Sequence, residues 1–171
     1  MTTRFAGHLL TGIHSARPAA ADVPEGTLYS CTTHSRVYQS DGASAWTTWA
    51  TLGGAVTVGI AASDEGTAIA AGTALVTFRV PYAMTLSDVR ASLVGAAATG
   101  TFTVDINEGG TSILSTKLTI DATEKTSVTA ATPPVISDSA IADDAQITID
   151  VDDDGDGAAT GLKVWLIGTL T

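Results

Sequence analysis

The chain has 171 residues, 44% of them apolar, 5% aromatic and 15% charged, with 8 basic against 18 acidic residues and a formal net charge of -10. A chain this apolar is not a disordered tail, an excess of acid this large lacks the clustered Lys and Arg that neutralise phosphates, and the single Cys31 excludes an intrachain disulfide or a zinc site built on cysteine pairs. Ala and Thr together make about a third of the residues while Glu, Lys, Arg and Leu are few, which excludes a helical bundle and favours strands.

Residues 1–25 read as an extended N-terminal arm. They carry no sustained period of 2 or 3.6, and Pro18 and Pro24 bracket the run Ala19, Ala20, Ala21. Proline fixes φ and cannot donate to a ladder, so a segment lying on another surface is expected rather than an internal strand. The first ten residues have a single Arg and no apolar run of the length a signal peptide requires. No stretch approaches the ~18 consecutive apolar residues of a membrane span. Synthesis in the cytoplasm without membrane insertion is expected.

Residues 26–54 read as a small β-meander of three short strands. The β-prone runs are 27–31 and 36–40, then the turn signal Ser40, Asp41, Gly42, then a third run from Ser44 to Trp49. So small a sheet is marginal alone. Tyr29, Tyr38, Trp46 and Trp49 are therefore expected to pack against another body, either the larger domain or a second copy of the chain.

Residues 55–171 alternate. Val76, Phe78 and Val80 share one face, as do Phe102, Val104 and Ile106, and again Ile147, Ile149 and Val151, with Thr, Arg, Asp and Gln opposite. Such period-2 patterning marks half-buried antiparallel strands. Runs at 67–71, 74–80, 87–94, 101–107, 111–118, 126–129, 147–150 and 162–167 give about eight strands, which fits an antiparallel β-sandwich of jelly-roll type. Leu86, Val89 and Leu93 have helical spacing, yet Val89, Ala91 and Leu93 equally fit a strand. The strand is preferred, because a lone helix would interrupt the sheet. The last run, Leu162 to Ile167, is apolar on both faces. It is read either as an inner strand covered by the arm or as a subunit interface anchored by Trp165.

Charge divides with this organisation. Residues 1–54 hold three Arg against three carboxylates, so the entire excess of -10 falls in residues 55–171, while all three His and two of the three Trp lie in the first part.

Motifs of chemistry are sparse. Asp150, Asp152 and Asp154, followed by Gly155, match the opening of a calcium loop, in which alternate carboxylates converge on the ion. The pattern then breaks, because Gly161 stands where the bidentate Glu belongs and no helices flank it. The alternative is a solvated hairpin tip. Gly155 and Gly157 do not make a dinucleotide fingerprint, since the next glycine is one residue late and leads into a strand. Gly42-Ala43-Ser44 is not a nucleophile elbow. His8, His14 and His34 lack the spacing of metal sites, and Cys31, alternating with Tyr29, reads as a small packing residue. No catalytic residues and no cofactor are assigned, with calcium as the one weak candidate, and the chain is read as non-enzymatic.

Two parts of the chain carry a resemblance. The first runs from Gly26-Thr27-Leu28-Tyr29 through Arg36 to Gly42 and on to Trp46 and Trp49. It resembles a short β-meander of bacteriophage virion proteins, tail fibres and head fibres among them. The second half, with Val80-Pro81-Tyr82, Thr103 to Gly110, Ile113 to Leu118 and Ile141 to Ile147, is similar to a β-sandwich module of phage structural proteins. The resemblance implies a non-enzymatic virion component, often trimeric. A capsid-surface decoration or head-fibre protein is expected, docked on capsid or other virion proteins and trimerised through residues 1–54, with the sandwich projecting from the virion surface. The alternative is a tail-associated receptor-binding module that recognises host carbohydrate. Tyr29, Tyr38, Trp46, Trp49 and Trp165 are the candidate interface residues.

Overall fold

The computed structural model describes residues 9–34, 36–51 and 54–171. Among them the chain is all-β, with three short 3-10 turns and no α-helix. The described chain forms two compact units, one ending at Gly54 and one running from Ala55 to Leu170.

In the first unit, β1 (Leu9–Gly12), β2 (Leu28–Cys31), β3 (Arg36–Ser40) and β4 (Trp46–Thr51) form one sheet in that order. The last three make an antiparallel meander. The β3–β4 turn closes on Asp41, whose Oδ1 accepts the N–H groups of Ala43, Ser44 and Ala45, each at 2.9 Å. Those donors, Ala45 foremost, hold the carboxyl below the ordinary Asp range.

The stretch expected as an extended arm departs from the sequence reading. Residues 9–12 pair in parallel with β2, from Leu9 beside Leu28 to Gly12 beside Cys31. A parallel neighbour needs a long crossover. Here it carries 3-10 turns at His14–Ala16 and Ala20–Asp22.

That crossover also explains how so small a sheet is covered. The Tyr29 hydroxyl donates to the Ile13 carbonyl at 2.7 Å, and the Trp46 indole N–H donates to the Pro18 carbonyl at 3.0 Å. The Arg17 guanidinium sits 4.3 Å from the Tyr38 ring centre and 5.4 Å from that of Trp46, within cation–π range. Tyr29, Cys31 and Tyr38 are buried as one cluster, with Leu10 and Trp46 packed against it.

The second unit contains β5 (Ala55–Ala61), β6 (Gly72–Arg79), β7 (Met84–Ser92), β8 (Phe102–Glu108), β9 (Thr111–Ser112), β10 (Leu114–Thr116), β11 (Leu118–Ile120), β12 (Val135–Ile136), β13 (Ala140–Ile141), β14 (Gln146–Asp154) and β15 (Lys163–Leu170). One sheet has the order β11-β8-β14-β6 with β9 attached to β8, and the other β13-β7-β15-β5; β10 and β12 pair separately. Taken in chain order, the eight strands of these two orders alternate between the sheets except from β8 to β11, and the neighbours within each order are antiparallel. This is the jelly-roll order.

The alternating residues meet between the sheets. Phe102, Val104, Ile106, Ile147, Ile149 and Val151 from one, and Met84, Leu86, Val89, Ala91, Val164 and Leu166 from the other, belong to a single buried cluster. Burying each larger side chain contributes about 1.5–3 kcal/mol.

Three details differ from the sequence reading. Residues 67–71 are not a strand and make only an isolated bridge from Ala68 to Thr160. Residues 127–129 form a 3-10 turn, capped by Thr126 Oγ1 accepting the Val128 N–H at 3.2 Å. The run 111–118 is broken into β9, β10 and the start of β11, where Ser112 Oγ turns to donate to Asp105 Oδ1 at 2.6 Å. The ambiguous stretch at 86–93 lies largely in β7, whose Val89 pairs with Leu166.

Candidate functional site

The parallel register of β1 and β2 has a chemical consequence. Because Gly12 sits beside Cys31, the residues that follow each strand emerge side by side. Thr32 N–H donates to the Gly12 carbonyl at 2.9 Å, and His14 N–H donates to Thr33 Oγ1 at 3.1 Å. His14 opens the first 3-10 turn while His34 lies in the tight turn between β2 and β3. Cys31, on the inward face of β2 with Tyr29, is 1% exposed and points up between them.

His14, Cys31 and His34 each offer a donor atom, and these atoms lie within 4.8 Å of one another. Cys31 Sγ is 3.3 Å from His34 Nδ1 and 3.3 Å from Thr33 Oγ1, and the last two are also 3.3 Å apart. The two imidazoles meet edge to face with ring centres 4.6 Å apart. Burial pushes the Cys31 thiol up, but hydrogen bonds with the side chains of Thr33 and His34, aided by their backbone groups, outweigh it and bring the thiol down to about 6. The cluster is thus a buried thiol poised as thiolate, beneath two imidazoles that face solvent. One sulfur and two imidazole nitrogens form a donor set suited to borderline-soft divalent metals.

No spacing rule finds this group, because His14 is separated from Cys31 by the whole crossover and only the parallel pairing joins them. The one sequence signal was indirect: Cys31 and all three His share the short first part of the chain.

The calcium candidates are placed differently. Asp150, Asp152 and Asp154 lie on the extended strand β14 and do not converge. Asp150 accepts the Ala74 N–H at 2.7 Å and the Asn107 amide at 3.0 Å. Asp154 accepts the Ala71 N–H at 3.1 Å, and Asp152 pairs with Lys117. Lys117 also reaches the buried Asp105 at 3.0 Å, and these two carboxylates, Asp152 first, hold the ammonium above its ordinary value.

The turn beyond β14 clasps the neighbouring loop. Burial pushes Asp156 up, but the N–H groups of Ala158, Ala98 and Thr99 outweigh it and hold the carboxyl low. Gly155 (φ +71°) lies where a Cβ would stand 2.9 Å from both Ala97 Cβ and the Thr99 carbonyl oxygen. The Asp–Gly sequence here serves close packing between two loops.

Among the candidate interface residues, Tyr29 and Tyr38 are buried within their own unit and Trp46 is half-buried there. Trp49 is 61% exposed. Trp165, half-buried on β15, lies over Gly59 of β5 with Arg90 as its partner on β7. In comparisons with protein-family models, curated proteins and solved structures, nothing matches this chain.

Proposed function

We propose that the chain is a non-enzymatic structural protein of a bacteriophage virion, a capsid-surface decoration or head-fibre protein whose small N-terminal unit attaches to other virion proteins while the jelly-roll stays in water. The observation that carries this reading is the coincidence of charge with architecture. The unit ending at Gly54 holds three Arg against three carboxylates, and the whole excess of -10 lies beyond it. An acidic body repels its own copies and nucleic acid, which suits dense display on a DNA-filled shell. The neutral unit, with Trp49 exposed, is the part suited to docking.

Two further features support the reading. The first is the resemblance of the meander and sandwich segments to phage structural proteins. The second is the jelly-roll order, an architecture also used by viral capsid domains, which is support by fold analogy. The proposed assembly is a homotrimer held through the small N-terminal unit, with Trp165 on β15 as the alternative subunit contact.

Immunogold labelling of purified particles, with antibody raised against the full chain, tests the proposal. Labelling spread over the head is the expected result. Labelling confined to tail tips favours a receptor-binding role toward host carbohydrate, and particles free of the protein overturn the virion assignment.

A further inference from the structure

We propose that His14, Cys31 and His34 bind a divalent metal ion of the zinc class, held by one sulfur and two imidazole nitrogens, with water as the fourth ligand. The geometry is close to what such an ion requires. Zinc sits about 2.3 Å from sulfur and about 2.0–2.1 Å from nitrogen, so at tetrahedral angles the sulfur and nitrogen are separated by about 3.5 Å. Cys31 Sγ and His34 Nδ1 stand 3.3 Å apart, and the His14 donor completes a triangle no wider than 4.8 Å. Closing that triangle requires rotation of two exposed imidazoles, while the buried sulfur stays fixed by its strand.

The surroundings fit as well. A metal ligand needs an outer partner to orient it. Thr33 Oγ1 lies 3.3 Å from Cys31 Sγ and accepts the His14 backbone N–H at 3.1 Å, which makes it a positioning residue for the sulfur and for the start of the 3-10 turn that carries His14. The two imidazoles face solvent and leave a path of entry. An ion here would tie the crossover after β1 to the β2–β3 turn, two segments joined at present by a few hydrogen bonds. This site is independent of the virion assignment and stands or fails separately from it.

The test uses the full chain, stripped with chelator under reducing conditions and titrated with Co²⁺, then with Zn²⁺. The expected result is one Co²⁺ per chain, with the intense visible bands of a four-coordinate ion and a thiolate-to-cobalt charge-transfer band, all displaced by Zn²⁺. Cys31→Ser should remove the charge-transfer band and weaken Zn²⁺ binding at least about 100-fold, and His14→Ala or His34→Ala at least about tenfold each. Asp154→Asn should change nothing. X-ray absorption of the zinc-loaded wild-type chain gives a readout without any variant, with one sulfur and two imidazoles expected around the ion. Weak octahedral cobalt spectra, a zinc shell without sulfur, or Zn²⁺ affinity undiminished in folded Cys31→Ser would each overturn the proposal.

Discussion

Gly168→Ala is the sharpest test of how the two β7-side strands fit. Gly168 is buried on β15 at the point where its register with β7 shifts, between Ile167 and Gly168. A Cβ there would fall inside hard contact with the Thr85 carbonyl oxygen, 2.8 Å from its carbonyl carbon and 3.0 Å from Leu86 Cα. These are backbone atoms, so no side chain can swing aside. The strands must part by about 1 Å or more, and overpacking of this kind costs about 1–3 kcal/mol. One or two ladder hydrogen bonds stretch with it, at about 1 kcal/mol each. A total near 3 kcal/mol follows, or roughly 12 °C in the melting of a unit of this size. Gly54→Ala is the control, because its Cβ would meet nothing within 4 Å, and it should stay within about 0.5 kcal/mol. Urea unfolding followed by near-ultraviolet circular dichroism gives both values. Equal stabilities of the two variants would refute the register shift and the contact that it creates.

Lys117→Met should destabilise the sandwich by about 2 kcal/mol, since it leaves the buried Asp105 carboxylate with only Ser112 and an adjacent amide; the partial exposure of Lys117 keeps the loss modest. In a double-mutant cycle, adding Asp105→Asn should recover part of that loss, and additive effects would count against the pairing. The Lys117 contribution, from a raised pKa, is complete below about pH 10.4 and fades as pH rises beyond it. Asp41 and Asp156, both lowered, behave oppositely: their contribution is present above about pH 4 and is lost as pH falls below it, so Asp156→Asn should flatten the acid limb of a melting-temperature profile. For the assembly, sedimentation should give a trimer that Trp46→Ala weakens and Trp165→Asp leaves intact; the reverse outcome would move the contact to β15, and a wild-type monomer would remove that part of the proposal.

The sandwich was legible because most of its strands carry apolar residues on one face only, and even β8, which buries both faces, places the polar Asp105 and Asn107 on the second. The alternation of Phe102, Val104 and Ile106 states both the strand and the side of it that faces the core. The stretch from Leu86 to Leu93 was ambiguous alone, and pairing with β15 decides it. The N-terminal segment was not legible, because β1 is held by a parallel neighbour fifteen residues beyond its end, and nothing local in Leu9 to Gly12 announces that partner. The same pairing assembles His14, Cys31 and His34, so the cluster was hidden with it. The acidic loop was misleading for a different reason. Sequence displays the carboxylates of Asp150, Asp154 and Asp156 but not the backbone N–H groups of Ala74, Ala71, Ala98 and Thr99 that engage them.

In the proposed role, the neutral N-terminal unit attaches this chain to a virion shell. The most direct measurement adds purified full-length chain back to particles assembled without it and counts copies bound at saturation. The wild-type chain should bind to a fixed copy number, and Trp49→Asp should weaken binding about 30-fold or more, the loss of about 2 kcal/mol that a buried aromatic anchor represents. Binding that is absent in the wild type, or unchanged in Trp49→Asp, would contradict it.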